Sequence, residues 1–143
     1  MRHTNENVLV KTTLAPITKT TGAATSTAVD TLGYGDGVAV ISVGAATGAP
    51  DSFAVNAKLQ ESVDAAFTSP VDIAGAAITA ITTAGKTAEI PFTRQQRAAS
   101  LRYIRALVTP TFVGGSSPAI GIGATIVLGN PERGATANSL TGN

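Results

Sequence analysis

Cysteine and tryptophan are missing from this 143-residue chain, and histidine occurs once, as His3. Without cysteine there is no disulfide framework, no thiolate nucleophile and no sulfur ligand for zinc. One histidine near a terminus neither completes a metal site nor anchors a Ser-His-Asp relay, which needs its imidazole fixed inside a pocket. Charge is sparse as well: Asp, Glu, Lys and Arg make up 13% of the residues, about half the share usual in a globular domain. Ten basic and nine acidic side chains leave a net charge of +1, which does not suit a protein held on nucleic acid by phosphate neutralisation. No apolar run approaches the ~18 residues of a membrane span, and the opening MRHTNENVLVKTTLAP holds no signal-peptide core. The expectation is a soluble chain made in the cytoplasm, with no nucleic acid, membrane, metal or cofactor among its partners.

What is present is small, apolar and β-branched. The hydrophobic fraction is 43%, most of it Ala, Val, Ile and Leu, while aromatics account for 4%. A chain of this length forms one domain with one sizeable core. Two readings fit the low charge: partners cover much of the surface, or the surface is built from Thr, Ser, Ala and Asn.

Alternation at period two marks the strands. In Phe53–Gln60, Phe53, Val55, Ala57 and Leu59 share one side, and Asn56, Lys58 and Gln60 the other. Ser62-Val63-Asp64 then breaks the pattern, and Phe67 returns a large apolar group towards the core. Gly37–Gly44 is a nearly continuous apolar run. The turn formers Gly48, Pro50 and Asp51 join it to the strand at 53–61, so the two segments are expected to form an antiparallel pair. Thr25–Leu32 is β-prone and runs into the glycine-rich turn Gly33-Tyr34-Gly35-Asp36-Gly37. A short edge segment follows at 68–73, and the ambiguous stretch 74–84 leans to strand because Ile78, Ile81 and its threonines are β-branched. Further strands are expected at 86–92, 101–108 and 119–128, a single helical turn within 93–100, and a loop at 109–118. About eight short strands with regular turns and no long helix specify an all-β, single-domain β-sandwich, best matched by a jelly roll. Residues 1–24 are expected to form an extended N-terminal arm, 25–129 the sandwich and 130–143 a polar C-terminal tail. The arm's one apolar patch, Val8-Leu9-Val10, either adds a strand to a sheet or lies on a neighbour, and deleting residues 1–12 is expected to leave a folded sandwich.

No motif carries catalysis. Gly85-Lys86-Thr87 has the end of a phosphate loop, but Ala80 stands where its first glycine belongs, and Gly121-Ile122-Gly123 lacks the third glycine of a dinucleotide fingerprint. Glu61 and Asp64 are close enough in sequence to meet at a strand end, yet they supply too few oxygens for calcium. The densest polar feature is Arg94, Arg97, Arg102 and Arg105 beside Tyr103. Guanidinium groups suit a carboxylate-bearing interface, and they equally suit internal ion pairs with Glu61, Asp64 or Glu89. Candidate partner-binding residues are therefore Val8, Leu9, Val10, Arg94, Arg97, Arg102 and Arg105.

Four pieces, in order, are similar to small virion proteins of tailed bacteriophages. They are TAVDTLGYGDGVAVISVG (Thr27–Gly44), KLQESVDAAF (Lys58–Phe67), SLRYIRALVTPTFVGGSSPAI (Ser100–Ile120) and ATIVLGNPER (Ala124–Arg133). The chain departs from that pattern at Val63, where Asp or Gly is common. The resemblance implies a capsid decoration or cement protein: a small jelly roll, often a homodimer, on the outer surface of a phage capsid, clamping adjacent subunits of the major capsid protein. A fibre, baseplate or adhesin module that binds a host glycan is the alternative, although it would be expected to gather exposed aromatics that are scarce here.

Overall fold

The alternating segments place their apolar sides between two sheets. The computed structural model describes residues 8–98 and 100–131. Its elements are β1 (Leu9–Lys19), β2 (Ala24–Thr25), β3 (Val29–Asp30), β4 (Tyr34–Thr47), β5 (Ser52–Ser62), β6 (Val71–Ile81), β7 (Thr87–Phe92), a 3-10 turn (Arg94–Gln96), β8 (Tyr103–Val113) and β9 (Ala119–Pro131). One sheet has the order β1-β9-β4-β7; the other has β2-β8-β5-β6, with β3 also on β8. All pairings are antiparallel. The chain stays within a sheet only between β2 and β3 and between β5 and β6; every other connection crosses the sandwich. This is the jelly-roll arrangement. Ile41, Ile90, Phe92, Ile122, Ile126 and Leu128 of the first sheet meet Val55, Leu59, Ile104 and Val108 of the second, all buried.

Several expectations need correction. The segments at 37–44 and 53–61 are not partners. β4 pairs with β7 and β9, while β5 pairs with β6 and β8, so the 48–51 connection arches between sheets. Turn chemistry marks a reversal without saying whether the chain returns beside itself or above itself. The glycine run at 33–37 is a turn only at its start, where the Tyr34 N–H donates to the Thr31 carbonyl (3.0 Å) and Gly33 has φ 88°. Gly37 already lies inside β4, where a Cβ would stand 2.5 Å from Phe92 Cζ and 2.6 Å from the Val127 carbonyl oxygen. β8 runs on through Thr109–Val113 despite Pro110, because β2 reaches only as far as Val108 and leaves that part of β8 with a partner on one side. Phe67 is buried, but beneath the Arg105 guanidinium (4.4 Å to the ring centroid) and apart from the central cluster.

The described part of the expected arm is built into the sandwich. β1 lies along β9, pairing Leu9 with Leu128 and Lys19 with Ile120, and it buries Thr13 and Leu14. Sparse apolar residues hid this strand, because an edge strand with two register shifts shows no clean alternation. Likewise Asn130 and Pro131 belong to β9, and the rest of the expected tail, like residues 1–7, lies outside the described residues.

The sheet edges are blunted. β1 carries Pro16 and both of its register shifts, β7 is six residues long with Pro91 near its end, and β6 is displaced twice against β5, once across Gly75 (φ 76°). The fourth edge is broken into the two-residue pieces β2 and β3. Each device discourages pairing with a foreign strand.

Two measurements check this architecture. Gly37→Ala is expected to lower the urea unfolding midpoint by the equivalent of about 1–3 kcal/mol through overpacking, against the gain that Gly→Ala normally brings in a strand; an unchanged midpoint contradicts the packing described. Deleting residues 1–12 removes the start of β1 and the half-buried Leu9, so it is now expected to destabilise the sandwich, and a truncated chain as stable as the parent would show that β1 contributes nothing.

Candidate functional site

At one end of the sandwich the start of β1, the β3–β4 turn and the 93–102 loop come together. Their meeting point is organised by Arg97. Its Nε donates to Glu61 Oε2 (3.2 Å), its Nη1 to Thr31 Oγ1 (2.8 Å) and its Nη2 to the Leu101 carbonyl (2.6 Å). The other Glu61 oxygen accepts from the Ala98 N–H (3.1 Å). The Arg97 and Glu61 side chains are only 8% and 4% exposed. Each guanidinium edge and each carboxylate oxygen therefore has a partner, which is the condition for a buried ion pair to be tolerated. The sequence supplies this tie by placing Glu61 next to last in β5 and Arg97 just after the 3-10 turn.

The β3–β4 turn is fixed from both sides. Asp30 receives both Nε (2.6 Å) and Nη2 of Arg102, and its Oδ1 also accepts from the Leu32 N–H (2.9 Å). The Thr31 hydroxyl and N–H both donate to the Arg102 carbonyl, the latter at 3.0 Å. Hydrogen bonding from Arg102 holds the Asp30 carboxyl below the usual carboxylate range; partial burial opposes this, and the Leu32 N–H reinforces it. At the tip of this turn Leu32 stands 67% exposed.

Leu32 separates two hollows. A groove of about 710 Å³ lies between β1 and the 27–34 segment, lined by Val8, Leu9, Val29 and Tyr34 among others, with Lys11 on the β1 side and Asp30 on the other. Its two walls are tied where the Thr27 N–H (2.8 Å) and hydroxyl (3.1 Å) both donate to the Thr13 carbonyl. A smaller hollow of about 300 Å³ on the far side is lined by Thr31, Arg97, Leu101 and Arg102, and it shares Leu32 and Tyr34 with the groove.

The candidate residues named from sequence divide accordingly. Val8 and Leu9 form one wall of the groove, and Arg97 and Arg102 secure the opposite wall. Arg94 lies at the edge of the second hollow, with its N–H donating to Asp36 Oδ1 (3.2 Å). Val10 instead lies on the outer face of the first sheet, opposite Val127. Arg105 sits on the outer face of the second, with Nε and Nη2 on Gln60 Oε1 (3.0 and 2.9 Å). Glu61 and Asp64 do not form a carboxylate pair: Glu61 is committed to Arg97 and Ala98, and Asp64 accepts from Thr68 and Ser62. Among the described residues no three His, Cys, Asp or Glu side chains come together, and His3 lies outside them. Leu32 escaped the sequence reading, since a lone leucine between threonine and glycine gives no periodic signal.

No family model matches the chain, and no curated protein sequence matches it. Solved structures share its fold. A chain in the structure of infectious bursal disease virus, Gx strain, superposes with a TM-score of 0.52 at 12% identity over 89% of this chain. A chain of the T13 particle of the same virus gives 0.50 at 11% identity over 85%. This chain spans about a third of the length of each (33% and 31%). The shared property is the jelly-roll β-sandwich.

Two predictions rest on this geometry. Arg97→Met leaves the Glu61 carboxylate buried without its partner and is expected to cost about 3–5 kcal/mol in urea unfolding, most of it recovered when Glu61→Gln is added. A single variant as stable as the parent removes Arg97 as the organiser. For Asp30, a carboxyl whose pKa is depressed on folding stabilises the fold above its ordinary range and loses that contribution as pH falls through about 4 and below. The parent's unfolding midpoint should therefore drop more steeply than that of Asp30→Asn between about pH 5 and pH 3, by a small, salt-screened amount because the pair is solvent-exposed. Parallel pH profiles would refute the assignment.

Proposed function

We propose that this chain is a structural virion protein that binds the outer surface of a tailed-bacteriophage capsid and cements adjacent major capsid protein subunits, working as a homodimer without catalysis. The observation that carries this reading is the fold: a jelly-roll sandwich whose likenesses include chains of a virus particle. The polar residues support it. Arg97–Glu61, Arg102–Asp30 and Lys58–Asp72 are ties within the sandwich, so the densest charges hold the block rigid and do not converge on a substrate. The order of sequence pieces resembling phage virion proteins narrows the class to decoration or cement.

A cement subunit works by geometry. A stiff body that touches two neighbours holds the second contact at high effective concentration once the first is made, so weak contacts add up across a symmetric shell. Because β1 is part of this sandwich and its outer edge carries Pro16, the chain offers a partner its side chains and turns, and residues 9–19 are not spare to be donated to a capsid-protein sheet.

Virions prepared with and without the protein test the reading. Loss of surface knobs in negative stain, together with a lower bursting temperature restored by adding the purified chain back, is the expected result. Shells that keep their knobs and thermal stability but lose adsorption to cells would identify a receptor-binding module instead.

A further inference from the structure

We propose that the end of the sandwich around Leu32 is a two-fold contact between two copies of this chain, in which Leu32 of each copy enters the Val8–Leu9–Tyr34 groove of the other. The inference deepens the reading above and depends on it only in treating the chain as an assembly subunit.

Leu32 is the most exposed large apolar side chain among the described residues, at 67%. It is also held in place: the Asp30 carboxylate caps its N–H, Thr31 is anchored beneath it by Arg97 and by the Arg102 carbonyl, and the turn closes at Tyr34. An apolar group carried into water on a fixed turn contributes little to its own fold, yet it reaches a partner with its backbone already ordered. That is the character of an interface anchor.

The groove it would fill lies directly beside it, with Leu32 forming part of the rim. A knob and a hole side by side on one surface make a self-complementary patch, the requirement for a closed two-fold pair in which residue i meets j and j meets i. Charge agrees with this pairing. Lys11 on the β1 wall has no ion-pair partner among the described residues, and Asp30, already bonded to Arg102 of its own copy, stands on the facing wall. A two-fold axis between knob and groove sets the β1 wall of one copy opposite the β3 wall of the other, so each Lys11 joins the outer side of an existing Asp30–Arg102 pair. Pairing through strand edges is discouraged by the bulges and prolines described above, which leaves side-chain contacts such as this one.

Sedimentation velocity over a range of concentrations, on the full chain, tests the contact. The parent is expected to dimerise, and Leu32→Asp to weaken dimerisation about thirtyfold or more while leaving its circular dichroism and urea midpoint unchanged. Because the chain has no cysteine, a mixture of Leu32→Cys and Val8→Cys proteins should form a disulfide-linked pair under mild oxidation that neither protein forms alone. A parent that stays monomeric at every concentration while still binding stripped capsids would overturn the two-fold contact and assign the patch to a shell subunit, with the virion reading intact. A Leu32→Asp protein that dimerises as tightly as the parent would overturn it too. A dimer sensitive to Leu32 in a protein that ignores capsids would uphold the contact and defeat the cement reading.

Discussion

A single buried guanidinium decides how one end of this molecule is put together. Arg97 and Glu61 are both withdrawn from water, a costly arrangement that persists only when every polar atom is satisfied. Meeting that demand draws in Thr31, Ala98 and Leu101, and so ties the end of β5, the loop before β8 and the β3–β4 turn to one another. The sheets align themselves by burying aliphatic side chains, an undirected force. The position of the loops relative to the sheets comes from this directed contact.

The low charge of the chain follows from the same use of ionisable groups. The outer face of the second sheet is a polar lattice in which Lys58, Asp72, Gln60 and Arg105 bond one to the next. Asp72 is held below the usual carboxylate range chiefly by Lys58, then by Gln60. The outer face of the first sheet has no such lattice among the described residues: it carries Glu89, and Val10, Val127, Val38 and Pro91 stand opposite one another across all four strands. One face is cross-linked by polar side chains and the other carries an aliphatic row. For a subunit that meets neighbours, such asymmetry gives the block two sides that a partner can tell apart.

Much of the fold was legible in the sequence, and the reasons for success and failure are specific. Val55, Ala57 and Leu59 alternate because β5 is central in its sheet and packed on one face, and Ile90 and Phe92 declare β7 for the same reason. Alternation speaks for one strand at a time and is silent on partnership, so the turn residues of the arch between β4 and β5 read the same as those of a hairpin. Gly37 looked like a turn residue because composition does not show that Phe92 fills the space above it. At the candidate site, the crowding of arginines was visible and internal pairing with Glu61 was among the readings it allowed. The bonds of Arg97 to Thr31 and Leu101, and the exposure of Leu32, depend on segments far apart in the chain, and local spacing holds no trace of them.

The pairing of β1 with β9 sets a condition on how the protein is made. β1 finds its neighbour only in β9, so during synthesis Leu9 and Val10 leave the ribosome long before Leu128 and Val127 exist to receive them. Since nearly every other connection also leaps between layers, little of the sandwich can close from local contacts, and the topology favours slow folding. Folding therefore depends on how long an unpaired β1 can wait, and its short aliphatic and threonine side chains suit that delay.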